Sequence, residues 1–274
     1  MQTTTRQQLP GIVLMIAAML FSIIPLLSMF SAALQPQGTV PVGISWPADP
    51  QWHNFVDAWN AANITTLLGS SSLIVLGVVP ALVIISTMAA YAITILNIPL
   101  GRILFLLLLA GLTLPFELTI IPLYQQIQDM GLLNNRVGLI LPLIALNLPF
   151  AVFWMRAHFL TVPQELSEAA GVDGAGSWNA LRHIHIPLAG PALASLALLT
   201  FLSTWNQFLL TIVLIQDAEK RTMAGALQAF VGQYSTDVVL LNAGALLIMA
   251  PVIVVFLLLQ RHFVKALLQG ATKG

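Results

Sequence analysis

The chain has 274 residues, of which 58% are hydrophobic and only 7% are charged. Soluble globular proteins carry about 25% charged residues, so this composition excludes both a soluble enzyme and a disordered chain. Ten basic and ten acidic residues give no net charge, which argues against nucleic-acid binding. The chain has no cysteine, which excludes disulfides, thiolate catalysis and cysteine-ligated metal sites.

Six apolar runs are long enough to cross a bilayer, which requires about 20 residues. None contains Lys, Arg or Asp, and they cover residues 11–34, 66–96, 103–124, 137–155, 193–215 and 238–260. We therefore predict an all-α membrane protein with six transmembrane helices. A cleaved signal peptide is the alternative for the first run, but that run is longer than the apolar part of a signal peptide and five more spans follow it.

Six spans place both termini on the same side of the membrane. Seven basic residues fall on that side, against three on the other side, so we predict that the termini and the tail 261–274 are cytoplasmic. The outer loop 35–65 contains Trp46, Trp52 and Trp59. These tryptophans anchor the loop at the membrane surface or contact an external partner.

The longest cytoplasmic connection, residues 156–192, predicts a compact helix-turn-helix segment. Thr161 is predicted to be the N-cap of a first helix over residues 165–171. Gly174 follows in a turn where it can take positive φ, and Ser177 can cap a second short helix. The segment has too many apolar residues for a free loop, so part of it must pack on a span or a partner.

Seven residues of this segment form a recognisable pattern: Glu168, Ala169, Ala170, Gly174, Ile184, Ile186 and Pro187. Their spacing resembles the EAA signature of the membrane subunits of bacterial ABC importers, with Ile186 where Leu is usual. Asp173 before Gly174, and Leu188 after Pro187, resemble the carbohydrate-uptake branch, on the side of the smaller permease subunit of the maltose transporter. Trp205-Asn206 and the ending Gln269-Gly-Ala-Thr-Lys-Gly274 are similar to patterns of the same branch.

The resemblance implies a multi-chain importer in the bacterial inner membrane. Its expected partners are a second, homologous permease subunit, two ABC ATPase subunits that bind ATP and Mg, an extracytoplasmic sugar-binding protein and a sugar. This chain contains no G-x-x-x-x-G-K-[ST] loop, so we expect it to bind no nucleotide or other cofactor and to lack ATPase activity. The residues that the resemblance assigns to coupling with the ATPase are Glu168, Ala169, Ala170, Asp173, Gly174, Ile184 and Pro187.

Polar residues inside spans are costly and tend to face the bundle interior or a water-filled path. Trp205, Asn206 and Gln207, midway along the fifth span, offer an aromatic face and amide groups that suit a sugar. The alternative is a hydrogen bond to another span. Glu117, the one carboxylate within a predicted span, is a candidate for the substrate path or gate, or for a structural site in which it is buried.

The histidines do not predict a metal site. His183 and His185 are two residues apart, so on a helix they point to different faces. The sequence thus favours an ATP-driven sugar permease that works by alternating access. An importer for glycerol phosphate or another polar solute is the nearest alternative, and an ATP-independent channel or membrane enzyme is the alternative from another class.

Overall fold

The structure is a computed structural model that describes residues 5–232 and 236–271, with only the backbone described for residues 5–10, 259 and 261–271. The last three residues of the predicted tail pattern lie outside this range. The α-helices, in chain order, are α1 (Thr5–Ala33), α2 (His53–Ala61), α3 (Ile64–Thr94), α4 (Gly101–Gly111), α5 (Ile120–Asp129), α6 (Arg136–Phe159), α7 (Gln164–Val172), α8 (Ser177–Ala180), α9 (Ile186–Leu188), α10 (Gly190–Trp205), α11 (Leu209–Leu214) and α12 (Val238–Ala271). Short 3₁₀ segments cover Phe116–Thr119, Ala218–Lys220 and Ala224–Phe230, and a π-helical turn covers Leu181–His185.

Four helices are each long and apolar enough to cross a membrane as a single unbroken helix. Their apolar segments are Gly11–Ala33, Ile64–Thr94, Arg136–Phe159 and Val238–Leu258. These segments overlap the predicted first, second, fourth and sixth spans. The described residues hold four such helices, or up to six spans if each of two bent helix pairs counts as one.

The predicted third span, residues 103–124, is not one straight helix. Helix α4 ends at Gly111, and the chain resumes through the 3₁₀ turn and α5 at an angle of 97°. Pro115 lies in the break in an extended conformation, with φ −60° and ψ 125°. Proline has no N–H to donate and disfavours helix at the preceding residue, which favours an interruption here. Proline alone does not impose it, because α3, α6 and α12 each continue through internal prolines.

The predicted fifth span, residues 193–215, is also interrupted. Helix α10 ends at Trp205 and α11 begins only at Leu209. No proline or glycine marks this break. It is held instead by the Gln207 carbonyl oxygen, which accepts hydrogen bonds from the hydroxyls of Thr211 at 2.9 Å and Thr222 at 2.8 Å.

The chain divides into two compact units. The first comprises Met1–Thr65 and Ala226–Ala250. In it the loop predicted to be on the outer side folds back onto the end of α1: the buried Asn54 donates to the carbonyls of Ala33 at 2.9 Å and Gln35 at 2.8 Å. The loop tryptophans Trp46 and Trp52 lie about 6 Å from the Phe30 ring, with centroid separations of 6.1 and 6.0 Å.

The second unit comprises Thr66–Gly225 and Pro251–Gly274 and contains two hydrophobic clusters. One lies near the first half of α3 and packs α5, α6 and α11 together; its buried residues are Ile74, Val78, Ile127, Leu139, Leu143, Leu210, Leu214 and Ile215. The other lies at the opposite end of α3 and includes Tyr91, Phe105, Met155, Phe159, Leu181, Ala189 and Leu196. The second cluster is the base on which the predicted coupling segment rests.

Candidate functional site

The predicted coupling segment forms two short helices joined by a turn. Helix α7 ends at Val172, and the chain turns at Gly174, which has the expected positive φ of 74°. The second helix starts at Ser177 with Gly176, rather than Ser177, in the N-cap position. A Cβ added at Gly174 would meet no atom within 4 Å, so glycine is required there by backbone conformation and not by crowding.

The start of the first helix differs from the prediction. Pro163, not Thr161, occupies the N-cap position, and it offers no side-chain cap. The Thr161 hydroxyl instead donates to the His158 carbonyl at 2.8 Å. A residue that precedes proline disfavours helical conformation, so the new helix can begin only after Pro163.

A buried histidine attaches the coupling segment to the bundle. The His185 side chain is fully buried, and its Nε2 lies 3.1 Å from the Ser167 hydroxyl, which ties the second short helix to α7. Its ring packs 5.1 Å from the Tyr91 ring and 6.0 Å from the Phe159 ring. The Tyr91 hydroxyl donates to the Ser177 carbonyl at 3.0 Å. Helices α3 and α6 therefore hold the segment through the aromatic contacts of His185 and through one hydrogen bond, from Tyr91 to Ser177, while the Ser167–His185 contact ties the segment together internally.

Burial lowers the pKa of the His185 imidazole below its ordinary value of 6.5. The ring is therefore neutral at neutral pH, which suits its aromatic neighbours. The described residues contain no group of three or more His, Asp or Glu side chains that could hold a metal ion. The burial of His185 and its ring contacts with Tyr91 and Phe159 indicate a packing role in this segment.

The residues matched to the EAA signature divide into an inner and an outer set. Ala170 is buried and Ile184 is half-buried, whereas Glu168, Ala169, Asp173, Gly174 and Pro187 are exposed. Two large apolar side chains flank the turn on the exposed side, with Val172 89% exposed and Trp178 60% exposed. An apolar surface beside a small-residue helix is suited to docking against another protein.

The second predicted site lies at the break between α10 and α11. Trp205 is buried and packs 5.4 Å from Phe201. Asn206 is exposed, and its side-chain amide makes no hydrogen bond to any residue that the structure describes. The Gln207 side chain accepts a 3.3 Å bond from the Leu210 N–H, so it satisfies the first turn of α11. The three residues thus have different environments: Trp205 is buried, Gln207 is bonded to the start of α11, and Asn206 has an exposed side chain.

Two further polar residues lie close to this break. The Ser203 hydroxyl donates to the Asn147 side-chain oxygen at 3.1 Å, joining α10 to α6. Ser203 precedes Asn206 by three residues, which places both at the same side of the helix end. Asn147, Ser203 and Asn206 together are referred to as the polar strip.

Glu117 is not a buried carboxylate. It lies in the 3₁₀ turn of the broken third span and is exposed. The break before Pro115 leaves Glu117 in this turn and not in a continuous helix. Its assignment to the substrate path or gate stays a prediction. Glu117 also does not lie in the polar strip.

Several residues that hold these sites carried little sequence signal. Tyr91 lies in an apolar run and His185 lies in a stretch with two other basic residues, and neither local sequence indicates that the two rings are in contact. Thr211 and Thr222 are eleven positions apart, and both bond the same carbonyl. No local sequence pattern predicts that the two hydroxyls bond the same carbonyl, because this depends on the path of the chain after α11.

Comparison with known proteins identifies the family. Residues 81–269 match the family described as binding-protein-dependent transport system inner membrane component. The chain is 34% identical to the diacetylchitobiose uptake system permease protein of Streptomyces coelicolor, over 90% of this chain and 83% of that protein. It is 33% identical to the trehalose transport system permease protein of Mycobacterium tuberculosis, over 93% of each chain.

A solved structure shows the same fold. The crystal structure of a bacterial ABC transporter involved in the import of the acidic polysaccharide alginate contains a chain that matches with a TM-score of 0.78. The match covers 95% of this chain and 99% of that one at 24% sequence identity. The family match and the relatives together show that the chain belongs to the inner membrane components of binding-protein-dependent ABC transport systems.

Proposed function

We propose that this chain is the permease subunit of an ATP-driven, binding-protein-dependent sugar importer and forms half of its translocation pathway. The observation that carries the proposal is the family match over residues 81–269 together with the EAA-like segment exposed at one end of the bundle. ATP hydrolysis is assigned to two partner ATPase subunits. A second permease subunit completes the pathway, and an extracytoplasmic binding protein delivers the sugar.

The printed functions of the relatives favour a carbohydrate cargo. The diacetylchitobiose and trehalose permeases are joined by a melibiose/raffinose/stachyose import permease of Bacillus subtilis, 31% identical over 92% of this chain and 91% of that protein. All three names describe neutral or amide-bearing sugars. The polar strip offers amide and hydroxyl groups, which suit sugar hydroxyls. These observations favour a sugar over glycerol phosphate.

The coupling role is assigned to the exposed face of the helix-turn-helix segment. Val172 and Trp178 supply apolar contact area, and Glu168 and Asp173 supply charges beside it. On ATP-driven closure, the ATPase subunits push on this face, and the anchor at Tyr91 and His185 passes the movement to α3 and α6. The exposed end is cytoplasmic in this proposal, with both termini on the same side.

The experiment that tests the function uses the assembled importer. The chain is co-expressed with its candidate partner subunits, purified as a complex, and assayed for ATP hydrolysis with a panel of sugar-loaded binding proteins. We expect one loaded binding protein to raise the turnover, and Glu168→Ala to reduce the stimulated rate more than the basal rate. If no sugar-loaded binding protein raises the turnover and a glycerol phosphate binding protein does, the cargo is glycerol phosphate and not a sugar.

A further inference from the structure

A basic pocket lies at the end of the bundle that carries the coupling segment. It has a volume of about 620 Å³ and is formed where α3 ends, α4 begins and α6 ends. Arg102 and Arg156 both line it, and Asn97 adds a polar amide. This pocket is distinct from the exposed coupling face and from the polar strip.

The two arginines have no anionic partner among the described residues. Neither makes an ion pair, and the guanidinium of Arg156 lies 4.2 Å above the Phe105 ring. The Nε atom of Arg156 is buried and makes no hydrogen bond to any described atom. Burying a guanidinium N–H without an acceptor is costly, so this arrangement favours an acceptor that comes from outside the chain.

An apolar groove continues from the basic pocket. It has a volume of about 410 Å³ and shares Ile93 and Ile98 with the pocket. Its lining is entirely apolar, and the outer wall is open because Leu104 is 46% exposed and Leu107 is 64% exposed. The basic pocket and the adjoining apolar groove together suit a molecule with an anionic head group and a hydrocarbon tail.

The position of the pocket also fits such a molecule. Arg102 lies in the first turn of α4 and Arg156 lies in the last turn of α6, at helix ends where side chains reach the membrane–water interface. Basic pockets between transmembrane helices at this depth are suited to phosphate-bearing lipid head groups. Arginine binds a phosphate through two parallel hydrogen bonds, which lysine cannot reproduce.

We infer that Arg102 and Arg156 bind the phosphate of an anionic glycerophospholipid whose acyl chain occupies the apolar groove. Asn97 lines both this pocket and a neighbouring one that contains Glu168, so the bound lipid lies next to the coupling segment. The inference depends on the chain being a membrane protein and is independent of the sugar assignment.

The test measures lipid retention by native mass spectrometry. The full importer complex is purified, stripped of lipid with detergent, and titrated with dioleoyl phosphatidylglycerol or dioleoyl phosphatidylcholine. We expect phosphatidylglycerol to bind the wild type more tightly than phosphatidylcholine. Each of Arg102→Gln and Arg156→Gln should weaken that binding about tenfold, which is the typical worth of a charge-assisted hydrogen bond. Arg156→Lys should fall between the wild type and Arg156→Gln.

Matched controls separate this site from general charge effects. Arg182 is an exposed arginine of the coupling segment and lines neither cavity, so Arg182→Gln should leave retention unchanged. Because Arg102 is exposed, Arg102→Gln should assemble even if Arg156→Gln does not. Excess inorganic phosphate should not displace the lipid, because it lacks the acyl chain.

Four results would each overturn the inference. The first is that the wild type and Arg102→Gln retain the lipid equally, and the second is that the two lipids bind with equal affinity. The third is that inorganic phosphate alone displaces phosphatidylglycerol. The fourth is that Arg156→Gln loses the ATPase subunits while its lipid retention is unchanged. The last result would mean that Arg156 pairs with an acidic group of a partner protein.

Discussion

A substitution at Gly174 tests whether the backbone conformation of the turn between α7 and α8 matters for function. Gly174→Val places a branched residue at φ 74°, which costs about 1 kcal/mol or more although the surrounding space is open. We expect the binding-protein-stimulated ATPase rate to fall about fivefold. Gly176 is the matched control, because it is equally open but has φ −67°. An equal loss in Gly176→Val would show that bulk, and not φ, is responsible.

Asn206 and Gln207 should respond differently to truncation. Asn206→Ala removes an exposed amide that no described residue uses, so we expect an increase of roughly 2-fold to 10-fold in transport KM with an unchanged melting temperature. Gln207→Ala removes the acceptor for the Leu210 N–H and should lower the melting temperature of the purified complex. A stability loss in Asn206→Ala without any change in KM would remove it from the sugar path.

Protonation of the buried His185 ring should make the complex less stable in mild acid. Burial holds its pKa below 6.5 in the folded chain, whereas the unfolded chain binds a proton near 6.5. The contribution of His185 to the free energy of unfolding is therefore fully present above about pH 6.5 and declines as the pH falls towards the pKa of the folded state. We expect the melting temperature to drop between about pH 7.5 and about pH 5.5 more in the wild type than in His185→Gln. Identical slopes would assign the acid sensitivity to other groups.

At the scale of the elements, Gly138 shows how tightly α6 is packed near its start. A Cβ at this position would collide with the Leu132 carbonyl oxygen and lie 3.2 Å from Ile127. Backbone cannot yield as a side-chain tip does, so Gly138→Ala should cost about 1 to 3 kcal/mol. Gly69 in α3 meets nothing within 4 Å, and Gly69→Ala should be neutral or slightly stabilising. Thermal unfolding of both purified variants compares them directly.

The sequence located the helices better than their interruptions. The predicted span 66–96 and helix α3 differ by two residues at each end, because a long apolar run has one way to satisfy its backbone in a membrane. The break before Pro115 contains a residue that favours an interruption, but internal prolines do not break α3, α6 or α12, so the sequence does not single this position out. The break at Gln207 contains no proline and depends on hydroxyls of Thr211 and Thr222 that only the folded chain brings together.

The candidate sites were predictable to a similar, partial extent. Spacing located the coupling turn and the positive φ of Gly174, because those are properties of a few consecutive residues. The anchor formed by Tyr91, Ser167 and His185 joins segments far apart in the chain, so no spacing rule contains it. The exposure of Glu117 likewise depends on a feature beyond its neighbours in sequence, because its span is interrupted and does not continue as one helix.

At the scale of the whole molecule, the orientation in the membrane is the open prediction. The chain has no cysteine, so a thiol reagent can label it only at a cysteine that is introduced by substitution. Ser177→Cys and Ala218→Cys place thiols at exposed positions in the coupling segment and in the loop after α11. In intact cells, a membrane-impermeant thiol reagent should label only Ala218→Cys. Labelling of Ser177→Cys alone would invert the topology and contradict a cytoplasmic coupling segment.

The hydrogen bond from Tyr91 to the coupling segment ends on the backbone carbonyl of Ser177 and not on a side chain. The outward surface beside it, at Val172 and Trp178, takes no part in that bond. Residues on the outward surface are therefore free to diverge while the attachment to the bundle persists. Under the proposed coupling role, exchanging the exposed side chains around Val172 and Trp178 would change the fit to an ATPase subunit and leave the hydrogen bond between Tyr91 and Ser177 in place.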